Sequence, residues 1–163
     1  MTDTKHTLVA LVGDKPGVLN RVASLFRRRG FNIQSLAVGR SEQPGLSRMT
    51  VVVGGDSAQV EQVRKQLDKL INVVRVSDIT EEDIVARELA LIKVKATAST
   101  RSEIIQIVDI FRANIVDVAS DSLTVEVTGD EDKVESLLEL LRSFGIKEIS
   151  RTGRIALTRG GVA

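Results

Sequence analysis

Apolar residues in this chain change their spacing in one order, and that order is written twice. In the first half, the extended apolar stretch Thr7 to Val12 runs into Gly13-Asp14-Lys15-Pro16-Gly17. A helical period follows, with Val18, Leu19, Val22, Leu25 and Phe26 on one face. Gly30 is placed to close this helix in the left-handed conformation, after a run Arg27, Arg28, Arg29 whose cations suit the negative end of the helix dipole. Extended segments 32–40 and 47–54 then flank a turn holding Pro44 and Gly45, which reads as a hairpin. Asp56 or Ser57 can cap a second helix that buries Val60, Val63, Leu67 and Leu70, and residues 73–77 supply a fourth strand.

The second half repeats the sequence of elements. Strand 88–96 leads to a capping box, Thr100 to Glu103, and to a helix burying Ile104, Ile107, Val108 and Phe111. Strands 115–119 and 123–128 flank the turn residues Asp121 and Ser122. A last helix starts after Gly129 and Asp130 and buries Val134, Leu137, Leu138 and Leu141, and segments 146–151 and 154–158 lie on either side of Gly153. Phe111-Arg112-Ala113-Asn114-Ile115 echoes Phe26 through Ile33, where the same residue types end a helix and open a strand. Each half reads β-α-β-β-α-β, so the expected class is α+β, with two ferredoxin-like domains whose paired helices cover one face of an antiparallel sheet. The expected spans are 1–78, an acidic linker 79–84, and 85–163. Domains of this size have small cores and leave the other sheet face open, which predicts a homodimer.

What the chain lacks bounds its chemistry. Zero cysteines remove disulfides, thiolate nucleophiles and thiolate metal sites, and a single histidine, His6, removes nearly every histidine-based catalytic or metal constellation. No nucleophile stands with a base and no glycine-rich nucleotide fingerprint is present, so no catalytic residue is assigned. No run of 18 apolar residues exists to span a bilayer, and residues 1–6 are polar, which predicts no membrane segment, no secretory signal and a cytoplasmic location. Charge is uneven: residues 1–80 carry 12 Lys/Arg against 7 Asp/Glu and residues 81–163 carry 11 against 15, a balance too slight to point to nucleic acid. An RNA-recognition module shares the element order, but it stacks bases on aromatic side chains, and this chain has four Phe, no Tyr and no Trp.

The most informative local feature is Asp14-Lys15-Pro16-Gly17-Val18-Leu19, between the first strand and the first helix. Gly17 admits close approach to the backbone, and the amides of Gly17, Val18 and Leu19 start a helix, where unpaired N–H groups attract a carboxylate. Pro16 presets the helical φ, and Asp14 can accept from an ammonium, so the loop suits both charged ends of a free amino acid. Equally, Asp14 can serve as a plain helix cap and Pro-Gly as a plain turn. Asn32 can reach a bound polar group or bond its own backbone, while Ile33 and Leu36 suit a core or an interface. Arg21 and Arg27 to Arg29 read as a solvated helix end, and His6 as a surface residue.

The run from Asp14 to Val22, continued by Leu25 through Leu36 and by Leu46-Ser47-Arg48-Met49-Thr50, resembles the N-terminal ACT domain of acetolactate (acetohydroxyacid) synthase small subunits. Gln66 to Val73, Arg87 to Val94, Ile110 to Ala113 and Leu157 to Gly160 are similar to the remainder of that family. The resemblance implies a regulatory subunit that activates a catalytic large subunit and confers feedback inhibition by valine in branched-chain amino acid synthesis. It further implies that thiamine diphosphate, magnesium and FAD belong only to that large subunit. By the same resemblance, valine lies between two ACT domains, on Asp14, Lys15, Pro16, Gly17, Val18, Leu19 and Asn20 of one protomer and Asn32 and Ile33 of its neighbour. Asp14 departs from the asparagine of many relatives, and Thr97-Ala98-Ser99-Thr100-Arg101 lacks the Pro-Gly of the first loop, so the second half is not expected to hold a second site. The alternative is an ACT regulator of another metabolic enzyme, which would share the loop but not the later segments.

Overall fold

A computed structural model describes residues 4–160. Residues 1–3 and 161–163, the outer ends of the two spans expected from the sequence, lie outside the described residues. The elements follow in the order β1 (Thr4–Gly13), α1 (Val18–Arg28), β2 (Ile33–Arg40), β3 (Leu46–Gly55), α2 (Ser57–Leu67), β4 (Val73–Asp78), β5 (Ile84–Lys95), α3 (Arg101–Ile110), β6 (Asn114–Val118), β7 (Ser122–Gly129), α4 (Glu131–Arg142), β8 (Ile146–Arg151) and β9 (Ile155–Thr158). Two antiparallel sheets result, ordered β2-β3-β1-β4 and β6-β7-β5-β8, with β9 added against β5. These are the two ferredoxin-like halves that the doubled pattern predicts.

Each half has its own core. In the first, Leu8, Ala10 and Val12 of β1 and Met49, Val51 and Val53 of β3 pack under Val22, Leu25 and Phe26 of α1 and Val60, Val63 and Leu67 of α2. In the second, Ala90, Ile92 and Val94 of β5 and Leu123, Val125 and Val127 of β7 meet Ile104 and Val108 of α3 and Leu137, Leu138 and Leu141 of α4. Strand residues enter these cores at every second position because successive side chains leave a strand on opposite faces. No helix among the described residues is long and apolar enough to cross a membrane.

The echo between Phe26–Ile33 and Phe111–Ile115 is a repeated helix ending. At the end of α1, Gly30 (φ 75°) donates to the Arg27 carbonyl and Phe31 donates to the Phe26 carbonyl, both at 3.0 Å. This is the Schellman pattern, sealed by an edge-to-face contact of the Phe26 and Phe31 rings with centroids 6.4 Å apart. At the end of α3, Arg112 (φ 54°) donates to Asp109 and Ala113 to Val108 in the same way, again at 3.0 Å. A non-glycine residue held left-handed carries a steric cost that glycine escapes. Arg112→Gly is therefore expected to stabilise the protein by about 0.5–1 kcal/mol after glycine's greater unfolded-state entropy is set against it. Chemical denaturation should show the midpoint rising with an unchanged slope.

The cap expected at Asp56 forms, and Asp130, at the expected start of the last helix, caps it as well. Asp56 accepts from Ala58 N–H at 2.7 Å and Asp130 from Lys133 N–H at 2.9 Å. The capping box expected at Thr100 and Glu103 does not form. Thr100 makes no side-chain cap bond; its hydroxyl instead accepts from the Thr97 N–H at 2.9 Å, closing the preceding turn.

His6 is not the surface residue expected. It is 5% exposed, its Nδ1 lies 3.0 Å from Asp78 Oδ2, and its Nε2 is buried without a partner among the described residues. Asp78 Oδ1 accepts from both the amide and the hydroxyl of Thr80, and the Thr80 hydroxyl accepts from Thr7 N–H at 3.0 Å, so the cluster pins the end of β4 to β1. Burial pushes the Asp78 carboxyl up, but the Thr80 and His6 hydrogen bonds outweigh it and hold the group below its ordinary value. A depressed carboxylate contributes stability that is present above its unfolded-state pKa and lost as pH falls through the folded value. Urea midpoints taken from about pH 5 down to about pH 2 should therefore fall more steeply for the wild type than for Asp78→Asn, the two converging at the acid end.

The chain groups into two compact units, one running to Val85 and including the chain from Arg154 onward, the other Ala86–Gly153. Residues after Gly153 hydrogen-bond to side chains of the first half. Arg154 N–H donates to Ser35 Oγ and its guanidinium to Thr7 Oγ1, both at 2.9 Å; Arg48 donates to the Ala156 carbonyl at 3.2 Å; and Arg159 pairs with Asp83 at 3.1 Å. Thr7, Arg48 and Ser35 lie on the sheet face away from the helices, where Val9, Leu11 and Val52 are also buried. Part of the open face expected of the first half is therefore covered within the chain. The edges of that sheet are β2 and β4.

Candidate effector site

The loop between β1 and α1 is clamped from two sides. Gly13 N–H donates to the Asn72 carbonyl at 2.6 Å and Asp14 N–H to the Gly45 carbonyl at 2.8 Å, so the turn before β4 and the β2–β3 hairpin both grip it. Lys15 N–H turns back to Gly13 at 2.9 Å. Gly17 is the N-cap residue of α1 at φ 85°, and no side chain caps the helix. Asp14 is thus not a cap; its side chain is exposed, as are Lys15, Pro16, Gly17 and Asn20.

Helix starts leave amides in need of acceptors, and this one is barely served. Val18 N–H has only a long bond, 3.4 Å, to Lys15, and among the described residues the amides of Gly17, Leu19 and Asn20 meet no acceptor. Val18 itself is 2% exposed, so its side chain belongs to the core and only its amide is on offer. Leu19 is 46% exposed, an apolar surface beside the free donors. The arrangement suits a small molecule with an anionic head and an aliphatic tail.

Asn32 and Ile33 lie elsewhere. They stand beyond the C-terminal end of α1, and eleven helical residues measure about 16 Å, so they cannot touch a small ligand held at the N-terminal end of the same helix. Ile33 packs partly against the first core; the Asn32 side chain is exposed and unbonded among the described residues. The structure therefore separates the expected site residues into two groups, with Asp14 to Asn20 together and Asn32 with Ile33 apart.

Three contributors escaped the sequence reading. Gly45 and Asn72 fix the loop through backbone carbonyls, which no side-chain pattern reveals. Arg21, read as part of a solvated helix end, leans toward the loop instead: a Cβ built on Gly17 would sit 3.4 Å from Arg21 Nη1. The four-residue spacing was the available signal, since helical side chains tilt toward the helix N-terminus.

The equivalent loop of the second half is self-contained, in keeping with its lack of Pro-Gly. The Thr97 hydroxyl lies 3.0 Å from that of Ser99 and 3.1 Å from that of Thr100, and Arg101 donates to the carbonyls of Ala119 and Ser120, each at 3.1 Å. Among the described residues no group of three or more His, Asp or Glu stands together to hold a metal ion.

Residues 8–75 match the family described as the AHAS small subunit-like ACT domain, and residues 87–160 match the small subunit of acetolactate synthase. A probable acetolactate synthase small subunit of Archaeoglobus fulgidus is 60% identical over 96% of this chain and 98% of its own, and the acetolactate synthase small subunit of Mycolicibacterium smegmatis is 56% identical over 95% and 91%. The crystal structure of the acetolactate synthase small subunit from Thermotoga maritima superposes with a TM-score of 0.88 at 46% identity, covering 98% of this chain and 99% of that one. Two family models that between them take in both halves, with relatives this similar over nearly their full length, place the chain in the acetolactate synthase small-subunit family.

Proposed function

We propose that this regulatory subunit activates the catalytic large subunit of acetolactate synthase and makes it subject to feedback inhibition by valine. The observation that carries the reading is the run of unmet amides at Gly17, Leu19 and Asn20 beside the exposed Leu19, on an ACT domain of this family. A free amino acid supplies what is missing: its carboxylate for the amides, its ammonium for Asp14, and an aliphatic side chain for the apolar surface. Lys15 and Pro16 shape the loop, and Val18 contributes its backbone. The first span, 1–78, senses the effector and dimerises; the second, 85–163 beyond the linker 79–84, takes part in valine response and contact with the large subunit. Thiamine diphosphate, magnesium and FAD are assigned to that catalytic partner, and both subunits to the cytoplasm.

Two copies complete the site. β2 is an edge strand, and its last residue, Arg40, lies in register with Ser47 opposite Val12, at the end of the sheet from which the Asp14–Gly17 loop departs. Antiparallel pairing of two β2 edges about a twofold axis sets the start of one β2 beside the end of the other. That pairing carries the partner copy's Asn32-Ile33 segment to the loop, joining the two groups that one chain holds apart. Valine bound there favours one arrangement of the paired ACT domains, and a coupling of about 1–3 kcal/mol is enough to alter the large subunit's output.

Reconstitution provides the test. Adding the purified protein to a catalytic acetolactate synthase subunit is expected to raise its activity and to make that activity fall with valine. Unchanged rates with and without the protein, in the presence or absence of valine, would refute the reading. A regulator of some other enzyme remains the second candidate only in that event, because the match over 87–160 is to this family and not to ACT domains at large.

A further inference from the structure

The contrast between the two loops points to a role for Arg21. In the second half, hydroxyls satisfy the turn and Arg101 spends its guanidinium on the carbonyls of Ala119 and Ser120. In the first half, the loop amides stay unmet, and the Arg21 guanidinium beside Gly17 has no partner among the described residues. Arg21 is exposed, and its Nη1 would lie 3.4 Å from a Cβ on Gly17. A side chain at Gly17 would meet that guanidinium, so glycine leaves room beside it, with unmet backbone donors in the same loop. The neighbouring ionisable side chains, Asp14 and Lys15, are both exposed, and neither forms an ion pair with another described residue.

We propose that Arg21 reads the acid group of the effector: it closes on the carboxylate from the side opposite the loop amides and makes a free carboxylate a requirement for binding. This rests on the reading of the loop as an amino acid site and adds to it a residue and a rule of selectivity. A planar guanidinium bonds both oxygens of a carboxylate but finds only one neutral acceptor in a carboxamide, whose amide nitrogen is itself a donor. Valine and valinamide share size, side chain and ammonium, so the change in their affinity ratio when Arg21 is replaced isolates this one contact.

Calorimetric titration of the full-length protein with valine and with valinamide, for the wild type, Arg21→Gln and Arg21→Lys, tests it. Circular dichroism should show the variants folded, since Arg21 is exposed and unpaired among the described residues. The wild type is expected to prefer valine to valinamide by about 100-fold or more. Arg21→Gln should weaken valine by about 10- to 100-fold while barely changing valinamide, collapsing the preference, and Arg21→Lys should recover part of it. An Arg21→Gln protein that keeps the wild-type preference, or that loses both ligands equally, would overturn the role of Arg21 and leave the site standing. Absence of valine heat with the wild type would instead defeat the site itself.

Discussion

Gly17→Asp should abolish valine sensitivity while the subunit still stimulates its catalytic partner. The substitution places a carboxylate in the loop where the effector's own acid group is to sit, within reach of Arg21 and beside the unmet amides of the helix start. Repulsion between two carboxylates and the loss of charge-assisted hydrogen bonds together amount to about 3 kcal/mol or more, which weakens valine by at least about 100-fold. The residue must also hold φ near 85°, a conformation that costs a non-glycine side chain about 1–2 kcal/mol, a tolerable loss for a domain with a core of its own. Assays of the reconstituted enzyme against valine concentration should show a flat response at full stimulation. Loss of stimulation together with intact valine binding would contradict this separation of roles.

Val38→Asp should break the dimer and take valine binding with it. Val38 lies on the free edge strand β2 and is 48% exposed, so the folded protomer tolerates a charge there. In a twofold pairing of β2 edges, each copy brings the same new charge to one small interface, and like charges so placed cost several kcal/mol. Sedimentation should show the dimer dissociation constant rising by about 100-fold or more, with the monomer giving no heat on titration with valine. A dimer of unchanged strength would mean that the copies meet through some other surface.

Local pattern carried most of the fold. The doubled strand-helix order, the caps at Asp56 and Asp130 and the left-handed ending at Gly30 all depend on residues within a few positions of one another, where spacing and side-chain type decide the outcome. The misses share the opposite character. His6 becomes buried because Asp78, 72 residues away, reaches back to it, and the segment from Arg154 returns to the first unit through Thr7, Ser35 and Arg48, more than 100 residues distant. No periodicity announces such contacts. Thr100 was misread for a different reason: its hydroxyl had two nearby donors to choose from, and the turn at Thr97 won over the helix.

The site was legible in the same uneven way. Gly17 and the amides around it follow from a Pro-Gly step at a helix start, and the structure finds them exposed and unmet. Asn32 and Ile33 came from family resemblance alone, and within one chain they stand a helix length from the loop. That distance is informative: if all nine residues serve one ligand, as proposed, they must come from two copies.

Mixing two defective proteins tests that requirement directly. Gly17→Asp destroys the loop half of the site and Asn32→Ala the β2 half, so each homodimer alone should bind valine poorly. In a mixed dimer, one site collects both defects, while the other joins an intact loop to an intact Asn32. Co-refolded at equal amounts, the two variants should regain valine binding at wild-type affinity in about a quarter of the sites. Recovery of no binding at all, with mixed dimers shown to be present, would mean that both groups of residues serve one chain, and an Asn32→Ala homodimer that binds valine as tightly as the wild type would mean that Asn32 plays no part; either result would contradict the composite site.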